Sequence, residues 1–266
     1  MAELMRGVRR ALGDLWRFRD LVRNLVSRNL HVKYQRSLLG FMWTLLNPVF
    51  TLSVLLVVFT RVVKIPIPSF WAFLISGYFV WLFLNHTLNY ATLAIEEHGN
   101  LIRSAVVPTE APLLAGCLSR LAEFSLELML VLSVISLFHH GRVPASTLLL
   151  PLLVLMQLVL ALGLAYAVAT LSVFYQDMKH VLPIAMTALF YASPVFYSIS
   201  LVPEPLRLLF WINPIALLLE LYQTVLYEGV FPSPWLVLAV GVVSVLTYLG
   251  GHSLFNRFKV FFAEVV

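Results

Sequence analysis

Charge is scarce in this sequence: Asp, Glu, Lys and Arg make up 12% of its 266 residues, about half of what a water-soluble domain carries. With 61% apolar residues and a mean hydropathy of +0.91, that deficit excludes a soluble globular chain and places the protein in lipid. Cysteine occurs once, as Cys117, so a disulfide within the chain is impossible and the redox compartment stays open. Its setting in an apolar stretch suits a small core residue. Alternating strand patterns are missing, which excludes a membrane barrel and leaves helices to satisfy the backbone in the bilayer. Low-complexity tracts and internal repeats are missing too. So is a Gly-x-x-x-x-Gly-Lys-Ser/Thr loop, and with it the usual means of holding nucleotide phosphates. His98, His139 and His140 have no Cys, Asp or Glu at metal-ligand spacing and are expected to be surface or loop residues.

What is present is a series of apolar runs, each long enough for the roughly 20 residues that cross a hydrocarbon core in a helix. They are Leu38 to Thr60, a stretch within Ile65 to Ile95, Ala111 to Phe138, Thr147 to Phe174, a run from near Val181 to Val202, and Pro234 to Phe255. Between the last two, about twelve apolar residues, Leu208 to Leu219, are interrupted by Pro214. Too short to cross, this segment is expected to re-enter the membrane from the outer face and to line or cap a path there, because non-helical backbone at that depth needs protein or a wet cavity over it. The expected fold is all-α: six transmembrane helices, an amphipathic interface helix before them, and a re-entrant segment (203–232) between the fifth and sixth spans.

Nine of the eighteen cations precede Ser37. With that basic leader (residues 1–37) inside, the loops on its side carry thirteen cations and the opposite side four, so both termini are expected in the cytoplasm. The leader is too long and too basic for a secretory signal and is expected to be retained. Wound as a helix, residues 17–32 put Phe18, Leu21, Val22, Leu25, Val26 and Val32 on one side. Arg17, Arg19, Asp20, Arg23, Asn24, Ser27, Arg28 and His31 fall on the other, with Leu30 out of place. Such a helix suits a membrane surface, its apolar side in the headgroup boundary and its arginines against anionic lipid. Arg23, Arg28, Lys33 and Arg36 either enforce topology or also meet a phosphate-bearing lipid substrate. No nucleic-acid partner is expected.

The residues at the membrane entry carry a resemblance. "RDLVRNLVSRNLHVKYQRSLLGFMWTLLNP" is similar to the opening of permease subunits of type 2 ATP-binding-cassette exporters that move polysaccharides, through Lys33, Tyr34, Ser37, Leu39, Gly40, Trp43 and Pro48. "NLIRSAVVPTEAPLLAGCLSRL" resembles the same family through Asn100, Leu101, Ile102, Pro108, Glu110, Leu114 and Ala115. "FYQDMKHVLP", "FYASPVFYS" and "INPIALLLELYQTVLYEG" look like its fourth-loop, fifth-span and outer re-entrant elements. The family often has arginine where this chain has Gln176 and Gln223, so roles that need a cation there are not implied.

The resemblance implies a membrane subunit, itself not an enzyme, with six spans over residues 38–266. It would act as a homodimer with two cytoplasmic ATPase chains that bind ATP and Mg; no cofactor is implied on this chain. It further implies that segment 96–112 holds a coupling helix seated on the ATPase. Gly99 would release one helix and Asn100 cap the next. Leu101 and Ile102 would pack in a groove of the partner, Arg103 would find a carboxylate, and Pro108 and Glu110 complete the matching motif. The expected cargo is lipid-linked polysaccharide, O-antigen first. Capsule, teichoic acid or a small hydrophobic molecule are the alternatives on the same architecture, and a membrane-bound glycan polymerase or acyltransferase is a more distant one.

Sugars offer C–H faces to aromatic rings, so a conduit for them can use aromatic platforms. Candidates are Phe41 and Trp43 at the first span, Tyr78 and Trp81 in the second, and Phe190, Tyr191, Phe196 and Tyr197 around Pro194 in the fifth, where the proline should loosen the helix and expose carbonyls. Arg120, Glu123 and Glu127 share one face of the third span and need partners or water there, as an internal ion pair or as lining.

Overall fold

The computed structural model describes residues 18–34, 40–103 and 107–262. Helix α1 (Arg19–Tyr34) is followed by α2 (Trp43–Val57), which runs on through a π turn to Val62, and by α3 (Phe70–Ala91). Two short helices, α4 (Ala94–Glu97) and α5 (Gly99–Arg103), lead to α6 (Ala111–Phe138), α7 (Leu150–Phe174) and α8 (Met178–Ala192). Then come α9 (Glu204–Ile212), α10 (Pro214–Gln223) with a π turn to Glu228, and α11 (Pro234–Phe258). No strand occurs among the described residues.

Among the described residues, five helices are long and apolar enough to cross a membrane: α2, α3, α6, α7 and α11 with their terminal turns. α3 is the axle of the bundle, buried along most of its length against α6, α7 and α10. The expected fifth span, Val181 to Val202, differs from the helix that forms. Pro194 disfavours helical backbone at the residue before it, Ser193 is extended (φ −109°, ψ 150°), and α8 stops at Ala192 after 15 residues. Those 15 residues rise about 22 Å, short of a core of roughly 30 Å. Non-helical chain through Val195 and Phe196 completes the ascent, Phe196 stacking at 4.7 Å on Phe59 near the end of α2.

The segment after it bends by 98° between α9 and α10. The far end of α10 is tied to the loops that join α2 to α3 and α6 to α7: Tyr227 donates to the Pro68 carbonyl at 2.7 Å and Ser146 to the Val225 carbonyl at 2.8 Å. At the opposite end of the bundle α1 lies on the start of α6, and Lys259, just past α11, reaches Glu110, just before α6. Both ends of the described chain therefore lie at one end of the bundle, which requires an even number of crossings. The five long helices and α8 make six, and the α9–α10 pair returns to the end it left.

One expectation changes at α1. Its apolar side was expected in the headgroup boundary, whereas Val22 and Leu25 pack on Ala111 and Ala115 of α6, with Leu101 and Val107 beside them. Small residues on α6 let the helix approach closely, so protein covers this face. Arg23 and Arg28 remain exposed on the other. α7 and α11 make the most extensive contact between two helices. They meet at Gly163 and Gly251, where either glycine, given a Cβ, would strike the other helix's backbone.

Candidate translocation site and coupling surface

Between α2, α3 and α8 lies a cavity of about 390 Å³ lined by Thr51, Tyr78, Trp81, Asn85, Asn89, Pro183, Thr187, Phe190 and Tyr191 among others. Asn85 and Asn89 are one helical turn apart on α3, so both amides project to the same side. The Asn89 Nδ2 donates to Asn85 Oδ1 at 2.7 Å, which leaves part of each amide's capacity for a ligand. Across the cavity Thr51 and Thr187 are exposed at the mouth and donate to the carbonyls of Asn47 and Pro183, one turn back. Hydroxyl and amide groups at this depth beside aromatic faces form a surface that offers both kinds of contact a sugar makes.

The aromatic candidates of the fifth span come together here. Phe190 packs on Trp81 at 5.6 Å and on Phe196 at 5.5 Å, and Tyr191 lies 5.8 Å from Phe196. Phe196 continues to Tyr197 at 5.1 Å, and Tyr197 to Phe210 of α9 at 6.0 Å, extending the ladder towards the α9–α10 pair. Tyr191 is exposed and Phe190 half-buried, while Phe196 and Pro194 are buried, so these last two lie behind the cavity rather than face it. Trp43 is exposed at the start of α2 and does not line the cavity. The side chain of Phe41 lies outside the described residues.

The carbonyl of Pro194 itself, in the non-helical chain after α8, has a partner. Gln223 Nε2 donates to it at 2.7 Å, in space that Gly77 of α3 leaves open, and Asn213 Nδ2 donates to Ser193 Oγ at 3.0 Å. The Asn213 Oδ1 also caps α10 by accepting from the Ile215 amide. The broken end of α8 is thus pinned to the α9–α10 pair by two side-chain amides. Gln223→Leu leaves the Pro194 carbonyl buried without a donor, at a cost of about 1–3 kcal/mol. A lower unfolding temperature in detergent is expected for this variant, with Gln223→Arg, which keeps a donor, closer to the unchanged chain.

At the other end, the residues of the coupling motif separate. Asn100 and Arg103 are exposed, Leu101 is half-buried against α1, and Ile102, expected to face a partner, is buried in the chain's own core. α5 starts at Gly99 rather than after Asn100, so asparagine lies within the helix instead of capping it. Pro108 is half-buried, and Glu110, buried, pairs with Lys259 at 2.7 Å. Lys33 is helical in its backbone, but its side chain and the whole of Arg36 lie outside the described residues. Arg120 forms an ion pair with Glu123 at 2.9 Å inside the bundle. His98, expected at the surface, is buried, its Nδ1 donating to the Ala94 carbonyl at 2.9 Å. Sequence reasoning missed the Asn85/Asn89 pair, although two asparagines four apart in an uncharged run were a visible signal. Nothing in the sequence indicated Lys259 as the partner of Glu110.

Comparison with known proteins identifies the family. The chain is 31% identical over 262 residues to the O-antigen export system permease protein RfbA of Myxococcus xanthus, covering 97% of this chain and 99% of that one. It is 24% identical to an RfbA of Klebsiella pneumoniae over 93% of this chain and 95% of that one. The polysialic acid transport protein KpsM of Escherichia coli is 24% identical over 78% of this chain and 81% of its own length. The family model described as ABC-2 type transporter matches residues 20–227. With most of its length matched and its long helices arranged to cross a bilayer, the chain belongs to the ABC-2 type transporter family.

Proposed function

We propose that this chain is the membrane subunit of an ATP-driven exporter of lipid-linked polysaccharide, with O-antigen as the cargo, in a bacterial inner membrane and with both termini cytoplasmic. The observation that carries the reading is the cavity between α2, α3 and α8, where Asn85, Asn89, Thr51 and Thr187 stand beside Tyr78, Trp81, Phe190 and Tyr191. Lipid tails offer those amides and hydroxyls nothing, whereas a sugar chain offers hydroxyls to the amides and C–H faces to the rings. The relatives named for O-antigen export cover nearly the whole chain, whereas those named for polysialic acid or capsule transport match over less of it, at 78% and 88%, which favours O-antigen over capsule.

A single copy leaves the mouth of this cavity facing lipid. Phe50, Val54 and Val57 of α2 and Ile184 and Tyr191 of α8 are each more than half exposed around it. A homodimer that joins these faces about a twofold axis covers the apolar rim and encloses the polar lining as a path wide enough for a polymer. Energy comes from two copies of a separate ATPase that bind ATP and Mg. They seat on the exposed side of α5, where Asn100 and Arg103 face outwards, and the arginines of α1 hold the surface of an anionic membrane.

The reading is tested by reconstituting the chain with its ATPase in liposomes and following a labelled lipid-linked O-antigen. Movement that requires ATP and a dimeric membrane subunit is the expected result. Transport of capsule polysaccharide in place of O-antigen would change the cargo, and a monomer that moves no glycan with ATP would end the proposal.

A further inference from the structure

Lys259 and Glu110 are 149 residues apart in sequence, yet the Lys259 Nζ donates to Glu110 Oε1 at 2.7 Å. The Glu110 side chain is only 4% exposed and that of Lys259 36%. Thr109 Oγ1 donates to the second carboxylate oxygen of Glu110 at 3.3 Å, so both oxygens are engaged. Glu110 stands where the chain leaves the coupling segment and enters α6. The Ala111 amide donates to the Pro108 carbonyl and the Leu114 amide to that of Glu110, making this residue part of the first turn. A carboxylate there also meets the positive end of the helix dipole.

Lys259 belongs to the short turn that closes α11, and aromatic contacts fix that turn to two helices. Phe258 packs on Phe174 at the end of α7 at 5.5 Å, and Phe262 on Phe255 of α11 at 5.1 Å. α6 and α11 make no extensive contact elsewhere. Stability is a weak reason for such a pair, since a partly buried ion pair contributes little beyond what apolar side chains would, while loss of one partner strands the other. The α7–α11 contact is held by glycine packing some distance from it.

We infer that the Glu110–Lys259 ion pair is a strut that carries movement of the coupling segment directly into α11, which makes Lys259 a positioning residue for transport. The inference rests on the reading of segment 96–112 as the part the ATPase moves. Through α6 alone, a displacement at the coupling segment reaches α3, α1 and, by a smaller contact, α7, because those are elements α6 packs on. The ion pair adds a direct link to α11, which α6 does not otherwise contact extensively and which packs closely on α7 at Gly163 and Gly251. Coupling requires a contact that differs between the two states of the machine, and a single short ion pair between otherwise separate elements can be made in one and stretched in the other.

The test uses the full complex in liposomes and measures glycan moved per ATP hydrolysed. Lys259→Glu and Glu110→Lys are each expected to lower that ratio by about tenfold, within the usual range of coupling between sites. The double swap, Glu110→Lys with Lys259→Glu, is expected to restore most of it. Lys259→Gln provides a milder variant if charge reversal prevents assembly, and the same fall is expected of it. Single variants that keep the unchanged ratio, or a swap as poor as either single change, would overturn the strut. Lower yield or Tm with an unchanged ratio in the surviving complexes would overturn it as well, by showing a merely structural role. If the unchanged chain fails to couple to its ATPase at all, the proposed function falls and the strut with it.

Discussion

Gly163→Leu is expected to abolish recovery of folded protein, judged as a monodisperse peak after detergent extraction. A Cβ at position 163 would lie 2.5 Å from the Tyr248 amide nitrogen and 2.6 Å from the Thr247 carbonyl carbon and oxygen. Those are backbone atoms, which cannot step aside as a flexible side chain can. α7 and α11 would have to separate along their largest shared surface. Even one added methylene in a packed interior costs about 1–3 kcal/mol, and leucine adds more than one against a neighbour that cannot yield. Gly250→Leu is the matching control. It changes the same residue type one position from Gly251, but a Cβ there meets nothing within 4 Å, and the folded yield should be unchanged. Equal recovery of the two variants would show that the close approach of α7 and α11 is not needed.

The second large effect falls on transport rather than on folding. Replacing both Asn85 and Asn89 by leucine is expected to lower ATP-dependent movement of the lipid-linked glycan by about tenfold to thirtyfold. That figure corresponds to two hydrogen bonds of about 1 kcal/mol each. The pair currently satisfies part of its capacity internally, through the 2.7 Å bond from Asn89 to Asn85, so removing both partners together leaves no stranded donor. In lipid, leucine is also the less costly residue at this depth. Thermal stability should therefore hold or rise while transport falls, a combination that a packing defect would not produce. A variant that transports normally would remove the cavity from the path.

Much of the architecture was legible because hydrophobic run length is a local property. The run Ala111 to Phe138 is α6 residue for residue, and those assigned near Thr147 to Phe174 and Pro234 to Phe255 differ from the helical spans by a few residues at one end. The 98° bend between α9 and α10 follows from Pro214, which the sequence marks plainly. Pro194 was recognised as a disturbance. That it ends α8 outright was not, because a proline can kink or terminate a helix depending on what partners its surroundings supply, and here Asn213 and Gln223 hold the non-helical Ser193 and Pro194.

The site was less legible than the fold. The aromatic cluster around Pro194 was visible, but its division into Tyr191 at the cavity and Phe196 behind it depends on how α8 is rotated against α2 and α3. The amphipathic pattern of α1 indicated correctly that one side avoids water. It could not say whether lipid or protein covers that side, since Ala111 and Ala115 are as apolar as an acyl chain. The same ambiguity concealed Ile102, whose place in the chain's own core is set by the packing of α5 against the bundle.

By itself, then, the sequence determined that the chain lies in lipid, how many apolar runs it has, where they break and on which side its cations gather, for these follow from composition and from a backbone that must bond to itself without water. The tertiary structure alone decided that Asn85 and Asn89 face a cavity, that Gly163 meets Gly251 and that Lys259 reaches Glu110. Helices in a membrane are apolar towards lipid and neighbour alike, so hydropathy does not mark the inward face. Rotation and crossing are set by packing between residues far apart in the chain.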